Sequence, residues 1–329
     1  LGEAGVHSLT DHAPPTLPHL DDEVLLPSLI QTVDTVHKWG ALASIELTHS
    51  GCRAKGAFLA PGGFVIGPSA MEANIYGDKV IEMDRAMMDT IADAYAQAAY
   101  MAQFAGCDMV NIHGGHGWLI SQFLSDLNNH RTDEFGGCIE NKARFPLMIV
   151  DRIRQKCPDL IIEFRLSSVE ETEGGMGIDE VVEFCKMLDG KVDIIHVSSA
   201  TFHDTASAAR MFPTVFYPRG CNVDNAARIK SVVKKSLVTV VGGLNDPAFM
   251  DSVIADGKTK VYGDADPALT YQVSGLKNGD TAGAVLNGGS LSRVAGENVG
   301  VYGINQGGLG LVSANYDLSY QGNNLTITK

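Results

Sequence analysis

Short apolar runs alternate with longer amphipathic segments over most of the chain. Runs that are β-branched or continuously apolar predict five strands buried on both faces, over 41–47, 108–112, 160–166, 192–197 and 237–241. Apolar residues at helical spacing predict helices between them, over 25–39, 84–105, 141–156, 179–188 and 224–235. Asp224 is expected to cap the last of these, and Asp246-Pro247 to begin a further helix. This alternation predicts an α/β fold with a parallel sheet and helical crossovers.

The pattern changes near residue 258. All cysteine, histidine, methionine and tryptophan residues lie before Lys258, whereas the segment from Thr259 onward carries 13 of the 36 glycines. Short strand candidates separated by glycine-containing turns follow, over 270–273, 284–286, 301–304, 316–320 and 325–328. The sequence therefore predicts two domains: residues 1–258, and a small all-β module over 259–329.

Composition and charge exclude several classes of protein. A net charge of −14 argues against a nucleic-acid-binding surface, which needs clustered basic residues. No apolar run reaches the roughly 18 residues of a membrane span. The six cysteines form no Cys-x-x-Cys pair, so a zinc ribbon, an iron–sulfur cluster and a redox dithiol are not expected. Such scattered cysteines are typical of reduced, buried residues in a cytoplasmic enzyme.

The motif His113-Gly-Gly-His116-Gly-Trp118 follows the apolar run 109–112 directly. A strand that ends in paired hydrogen-bond donors and leads into a loop and helix is typical of the rim of a β/α barrel, where barrel enzymes keep their chemistry. The alternatives are a structural pair or a metal-ligand pair. A metal-dependent barrel hydrolase would add His196 and His203, but no carboxylate-rich ligand set accompanies these histidines, so no metal is expected.

Residues 1–258 resemble the old yellow enzyme family of FMN-dependent ene-reductases. The closest branch holds 2,4-dienoyl-CoA reductases, 2-enoate reductases and bile-acid oxidoreductases. The resemblance rests mainly on the stretch 113–137, and it is supported by Glu46-Leu-Thr-His49, Phe164-Arg165-Leu-Ser, Glu173-Gly-Gly and Val241-Gly242-Gly243. It implies an incomplete TIM (β/α)8 barrel that lacks the first and eighth strands. It also implies an activity, the reduction of the C=C bond of an α,β-unsaturated carbonyl with FMN and NAD(P)H. The substrate could be an enoate, an enoyl thioester or a steroid-like enone.

The resemblance assigns the substrate contacts. His113 and His116 match the pair of N–H donors that hold the carbonyl oxygen, where negative charge builds in the transition state. Trp118 stands where relatives commonly place a tyrosine that donates a proton, and an indole N–H is not a usable acid. It is therefore expected to contact the substrate without protonating it. His49 lies near the rim and fits either the site or the core.

The resemblance also assigns the flavin contacts. Arg165 matches the residue that faces flavin N1 and O2, and Glu46 matches the residue that hydrogen-bonds the pyrimidine edge. An ordinary ion-pair role for Glu46 stays open. Gly242 and Gly243 would let the backbone approach the FMN phosphate, although a plain turn at the end of a strand also accounts for them.

The tail resembles one MBG-type (YDG) repeat of bacterial surface adhesins, from Lys260-Val-Tyr-Gly-Asp264 to Ile327-Thr-Lys329. This raises a second hypothesis, a non-catalytic surface protein or chimera that carries an inactive barrel fragment. In that case the barrel part would derive from a cytoplasmic enzyme, whereas the protein from which the tail derives would lie at the cell surface. A barrel with about five full strands exposes sheet edges, which favour self-association. We therefore expect weak or absent FMN retention.

Overall fold

A computed structural model describes residues 1–11, 18–214, 217–245, 258–269, 282–313, 315 and 323–328. The chain forms two compact units, Leu1–Gly243 and Leu244–Lys329. The predicted boundary after residue 258 follows a segment, 246–257, that lies outside the described residues, so it stays a prediction. The helix predicted from Asp246 lies in the same segment.

The first unit is built on a sheet of six parallel strands. In spatial order these are β1 (Glu3–Gly5), β2 (Ser44–Thr48), β5 (Met109–Gly114), β6 (Ile161–Ser167), β7 (Ile194–Ser198) and β8 (Leu237–Val240). Two further strands, β3 (Val65–Gly67) and β4 (Val80–Glu82), pair with each other. All five strands predicted for this unit are confirmed, and β1 joins them by pairing with β2.

Eight helices accompany these strands in the described part of the first unit. They are α1 (Leu26–Lys38), α2 (Arg85–Phe104), α3 (Leu119–Leu124), α4 (Ile139–Lys142), α5 (Arg144–Lys156), α6 (Ile178–Leu188), α7 (Thr205–Met211) and α8 (Val223–Val232). The helix predicted over 141–156 is two helices, which meet at Ala143. Asp224 lies in the first turn of α8 and does not cap it, because α8 begins one residue earlier, after Asn222.

The two faces of the six-stranded sheet differ in polarity. Residues such as Val110, Ile162 and Ile195 belong to the main buried core. The alternate residues are polar, and they form a polar face that consists of Glu3, Glu46, Asn111, His113, Glu163, Arg165 and His196. The strands were predicted to be buried on both faces. Both faces of β5 are buried, but its side chains alternate between an apolar set that packs in the main core and a polar set.

The second unit contains a four-stranded sheet in the order β10 (Ser292–Arg293), β11 (Gly300–Asn305), β12 (Asn323–Thr328) and β9 (Lys258–Val261). The strands predicted over 301–304 and 325–328 are confirmed. The strand predicted over 284–286 was wrong, because this run lies at a short helix, α9 (Ala282–Val285). Short apolar runs fit a buried turn of helix as well as a strand. The candidates over 270–273 and 316–320 lie outside the described residues.

The six cysteines are unpaired, and four of them are buried. Among the described residues, no helix combines the length and the apolar character that crossing a membrane requires.

Candidate functional site

His113 lies at the end of β5, and His116 follows in the loop that leads to α3. His116 has a φ of 61°, in the left-handed region that non-glycine residues seldom adopt. Its backbone N–H donates to Ser167 Oγ at 3.0 Å, and that hydroxyl donates to the carbonyl oxygen of Ala200 at 2.7 Å. Ala200 also has a positive φ, of 73°. Ser167 therefore ties together two strained backbone positions next to the site.

The structure brings the two predicted imidazoles together. Their ring centroids are 5.0 Å apart at 78°, and His116 Nδ1 lies 3.4 Å from His113 Nε2. His116 Nε2 lies 2.9 Å from Ser198 Oγ at the end of β7. The two histidines are only 1% and 6% exposed, so a ligand reaching them would be shielded from water.

Burial sets the charge of the pair. It lowers the pKa of His113 well below its usual range, and it lowers that of His116 to about 3. The positive charge of Arg165 lowers both pKa values further. Both rings are therefore neutral at neutral pH, and each offers one N–H donor and one acceptor nitrogen.

Arg165 and Glu46 lie side by side on the polar face. Arg165 Nη1 donates to Glu46 Oε1 at 3.2 Å, so the ion pair that the sequence left open for Glu46 is present. Arg165 Nε is buried and has no hydrogen-bond partner among the described residues. Guanidinium donors beside a carboxylate acceptor suit the pyrimidine edge of a flavin, which presents carbonyl acceptors and one N–H donor. The residues present therefore fit FMN, and the unpartnered Nε is the observation that supports this.

Three further polar residues complete this face. Asn111 Nδ2 donates to Glu163 Oε2 at 2.6 Å, and His196 Nδ1 lies 3.1 Å from Glu163 Oε1. Burial alone would raise the pKa of Glu163, but these contacts with His196 and Asn111 and the charge of Arg165 hold it below its usual value. Asn111 and Glu163 were not predicted from the sequence, and His196 was considered only as a metal ligand. The signal was their spacing, two residues before His113, Arg165 and Ser198.

Trp118 lies against His113, and its contact with a substrate stays a prediction. Its ring meets His113 edge to face at 6.3 Å and Phe202 at 5.7 Å. The Arg53 guanidinium lies over Phe202 at 5.4 Å and donates to the Phe202 carbonyl oxygen at 3.3 Å. Arg53 and Gly117 line a cavity of about 150 Å³. Trp118 is thus one side of an aromatic stack that separates His113 from Arg53.

Gly242 and Gly243 follow β8 with positive φ values of 125° and 64°. A Cβ atom at Gly242 would lie 2.6 Å from Asn222 Nδ2, and one at Gly243 would lie 3.2 Å from the backbone nitrogen of Gly220. Both glycines are therefore required by close packing against the segment that leads into α8. This supports the alternative of a turn at the strand end, and contact with the FMN phosphate stays a prediction.

Arg131 braces the loop that follows α3. Its Nη1 donates to the carbonyl oxygens of Pro68 and Met83, both at 2.9 Å, and its Nε donates to Asp133 Oδ1 at 2.9 Å. These contacts are structural, and they fix the second half of the motif against the segment around β3 and β4.

Comparison with known families gives two matches along the chain. A model of the NADH:flavin oxidoreductase / NADH oxidase family matches residues 6–269. A model of the MBG domain (YGX type) matches residues 252–326. The two matches overlap around the proposed domain boundary.

Several curated proteins are similar to the first unit. NADH oxidase of Thermoanaerobacter brockii is 32% identical over 245 residues, which are 73% of this chain and 36% of the relative. Bilirubin reductase of Mediterraneibacter gnavus is 31% identical over 280 residues, 80% of this chain and 42% of the relative. NADPH dehydrogenase of Bacillus subtilis is 30% identical over 226 residues, 68% of this chain and 62% of the relative. The chain thus spans less than two thirds of the length of these relatives.

Solved structures give the same fold. A 2-naphthoyl-CoA reductase in complex with 2-naphthoyl-CoA has a TM-score of 0.69 at 26% identity, covering 78% of this chain and 40% of that chain. The old yellow enzyme homologue from Zymomonas mobilis has a TM-score of 0.62 at 22% identity, covering 76% and 69%. The first unit is therefore an incomplete TIM barrel of the old yellow enzyme type, followed by a small β module.

Proposed function

The chain belongs to the NADH:flavin oxidoreductase / NADH oxidase family, and from that premise we propose that its polar face binds FMN and reduces the C=C bond of an α,β-unsaturated carbonyl with NAD(P)H. The observation that carries the proposal is the neutral, buried pair His113 and His116 at the end of β5, next to the strand that carries the unpartnered Arg165 Nε. FMN, when bound, supplies the hydride. The acceptor is an enoate, an enoyl thioester or a steroid-like enone.

The protein's own residues have distinct roles in this proposal. His113 and His116 donate to the carbonyl oxygen, which would replace the 3.4 Å contact between their nitrogens. Ser198 holds His116 Nε2 and thereby fixes which nitrogen of that ring faces the substrate. Trp118 excludes water from one side of the imidazole pair. Because its indole N–H is not an acid, the proton for the α-carbon comes from water or another group.

Flavin binding is assigned to Arg165 and Glu46. Arg165 keeps one guanidinium nitrogen on Glu46 and has Nε free to donate. Glu46 can accept a hydrogen bond but cannot donate one when ionised. Gly242 and Gly243 are proposed to approach the phosphate group through their backbone nitrogens.

The test is a titration of the purified chain with FMN, followed through quenching of flavin fluorescence. We expect binding that is weak enough for FMN to be lost on gel filtration. Under anaerobic conditions NADH or NADPH should then bleach the flavin, and 2-cyclohexenone, but not cyclohexanone, should restore its colour. Bleaching with no recolouring by any unsaturated carbonyl would refute ene-reduction while leaving flavin chemistry intact.

A second candidate is a surface or chimeric protein that carries an inactive barrel fragment. It is favoured by the MBG match over residues 252–326. Failure of the chain to bind FMN at all would support this candidate over the first.

A further inference from the structure

Two carboxylates and an imidazole converge on the polar face. Glu3 on β1, Glu46 on β2 and His113 on β5 each place one ligand atom within 4.8 Å of the other two. Glu46 Oε1 lies 3.6 Å from His113 Nδ1, and Glu3 Oε1 lies 3.9 Å from His113 Nε2. These separations are too long for hydrogen bonds. The two carboxylates approach different nitrogens of the ring, so an ion bound at Nδ1 beside Glu46 requires the partly exposed Glu3 side chain to turn toward it.

The imidazole nitrogen at the centre of this cluster has no partner. His113 is 1% exposed, and its Nδ1 has no hydrogen-bond partner among the described residues, although it faces the Glu46 carboxylate. Buried polar atoms without a partner are rare in native proteins and call for an explanation. A neutral imidazole is the form that binds a metal ion.

The charge balance also favours a cation. Two carboxylates, those of Glu3 and Glu46, lie beside one guanidinium, and Arg165 Nη1 is 3.2 Å from Glu46 Oε1. One guanidinium balances the charge of only one carboxylate. A neutral enone brings no positive charge to them, and reduced flavin is itself anionic. The enone chemistry proposed above has no use for Glu3.

We propose that Glu3, Glu46 and His113 bind a divalent transition-metal ion, with zinc as the best match. One imidazole nitrogen and two carboxylate oxygens suit zinc, which commonly takes three protein ligands and a water, whereas magnesium prefers oxygen ligands alone. Two ligands about 2.1 Å from a tetrahedral zinc lie roughly 3.4 Å apart. The 3.6 Å between Glu46 Oε1 and His113 Nδ1 is close to this separation.

The surroundings of the cluster fit a metal site. The second nitrogen of His113, Nε2, lies 3.4 Å from His116 Nδ1. A metal-bound histidine usually donates its other N–H to an acceptor, which fixes the ring. Arg165 Nη1 likewise lies 3.2 Å from Glu46 Oε1 and 3.5 Å from Oε2, so it can orient the carboxylate from the side.

The bound ion would compete with the flavin, because Glu46 and His113 belong to both sites. The zinc-bound chain is then a form that cannot carry out the proposed reduction. This consequence rests on the proposed function, whereas zinc binding itself does not. Glu3 distinguishes the two proposed sites, because it has a role only in the metal site.

The test is isothermal titration calorimetry of the chelator-treated full chain with zinc chloride. It uses a Cys138→Ser/Cys221→Ser background, because exposed and partly exposed thiols also bind zinc. We expect one zinc per chain, and Glu3→Gln should weaken it by about tenfold or more, since loss of even an outer-shell partner costs about 10–100-fold. Glu163→Gln removes a carboxylate from the same face outside the cluster and should change the affinity by less than about threefold.

Absence of saturable binding, or equal losses in Glu3→Gln and Glu163→Gln, would overturn the metal site. A second titration separates the two proposals. Zinc should weaken FMN binding to the background protein but not to its Glu3→Gln variant. If FMN fails to bind either protein, the proposed function fails, and the calorimetry alone decides on the metal. If FMN binds both and zinc binds neither, only the metal site fails.

Discussion

His116 Nε2 lies 2.9 Å from Ser198 Oγ. The imidazole of His116, a candidate catalytic residue, therefore links the loop after β5 to the end of β7. The contact occupies one nitrogen and leaves Nδ1 facing His113 at 3.4 Å. Ser198 therefore acts through His116, as a residue that positions it.

Ser198→Ala should loosen His116 without unfolding the chain. The buried Nε2 would lose its partner, which costs about 1–3 kcal/mol in the free energy of unfolding. Nitrogen-15 NMR of the imidazole should show a single tautomer in the parent protein and a mixture in the variant. Ser199→Ala is the matched control, because it leaves the Ser198 hydroxyl in place. An unchanged tautomer in Ser198→Ala would contradict the positioning role.

Arg165→Lys should weaken FMN binding by about tenfold or more, because lysine keeps the charge but supplies no planar set of donors. Arg165 Nε is the unpartnered donor on which the flavin fit rests. Quenching of flavin fluorescence measures the affinity. Arg228→Lys, on α8 and half exposed, should bind FMN as the parent protein does. Equal affinity in both variants would remove Arg165 from the flavin site.

The fully buried Asp11 should make stability depend on pH. Its Oδ1 accepts from the Ser50 backbone N–H at 2.8 Å, and burial raises its pKa from 3.8 to about 7, partly offset by that hydrogen bond. Between about pH 4 and pH 7 Asp11 is therefore protonated in the folded chain and ionised in the unfolded chain. The contribution of Asp11 to the free energy of unfolding is full below about pH 4 and is lost as the pH rises through about 7.

Asp11→Asn removes this titration and should keep the contact to Ser50. Relative to the parent protein, the variant should gain stability, on the order of 2–4 kcal/mol, between pH 4 and 8. Urea unfolding at several pH values measures this difference, in which the other titrating groups largely cancel. Parallel pH profiles for the two proteins would mean that Asp11 titrates normally.

Arg131→Lys should lower the free energy of unfolding by about 2 kcal/mol, because one ammonium group cannot reach Pro68, Met83 and Asp133 together. Chemical denaturation measures the loss. Arg144→Lys, at a half-exposed position with a 3.9 Å ion pair, should change stability by less than about 0.5 kcal/mol. A similar loss in both variants would show that the three contacts of Arg131 do not stabilise the fold more than an exposed ion pair does.

The long strands could be predicted because their core-facing residues are large and apolar, as Ile162, Phe164 and Leu166 are in β6. Strand β1 could not, because Glu3–Gly5 is too short for a pattern and is defined by its pairing with β2. The short helix α7 was not predicted, because seven residues are also too few for a clear pattern. The tail strand predicted at 284–286 failed because three apolar residues carry no period.

Within the site, the histidines and Arg165 could be predicted because their residue types are unusual at the ends of apolar strands. Ser167 and Ser198 could not, since a serine at a strand end has many ordinary uses and only the fold shows which backbone or ring it contacts. Glu3 carried no signal either, because its proximity to Glu46 and His113 arises from pairing between three strands distant in sequence.

The alternation along β2, β5, β6 and β7 assigns two independent tasks to neighbouring residues. Substitutions at core-facing positions change folding stability, whereas substitutions on the other face change what the protein can bind.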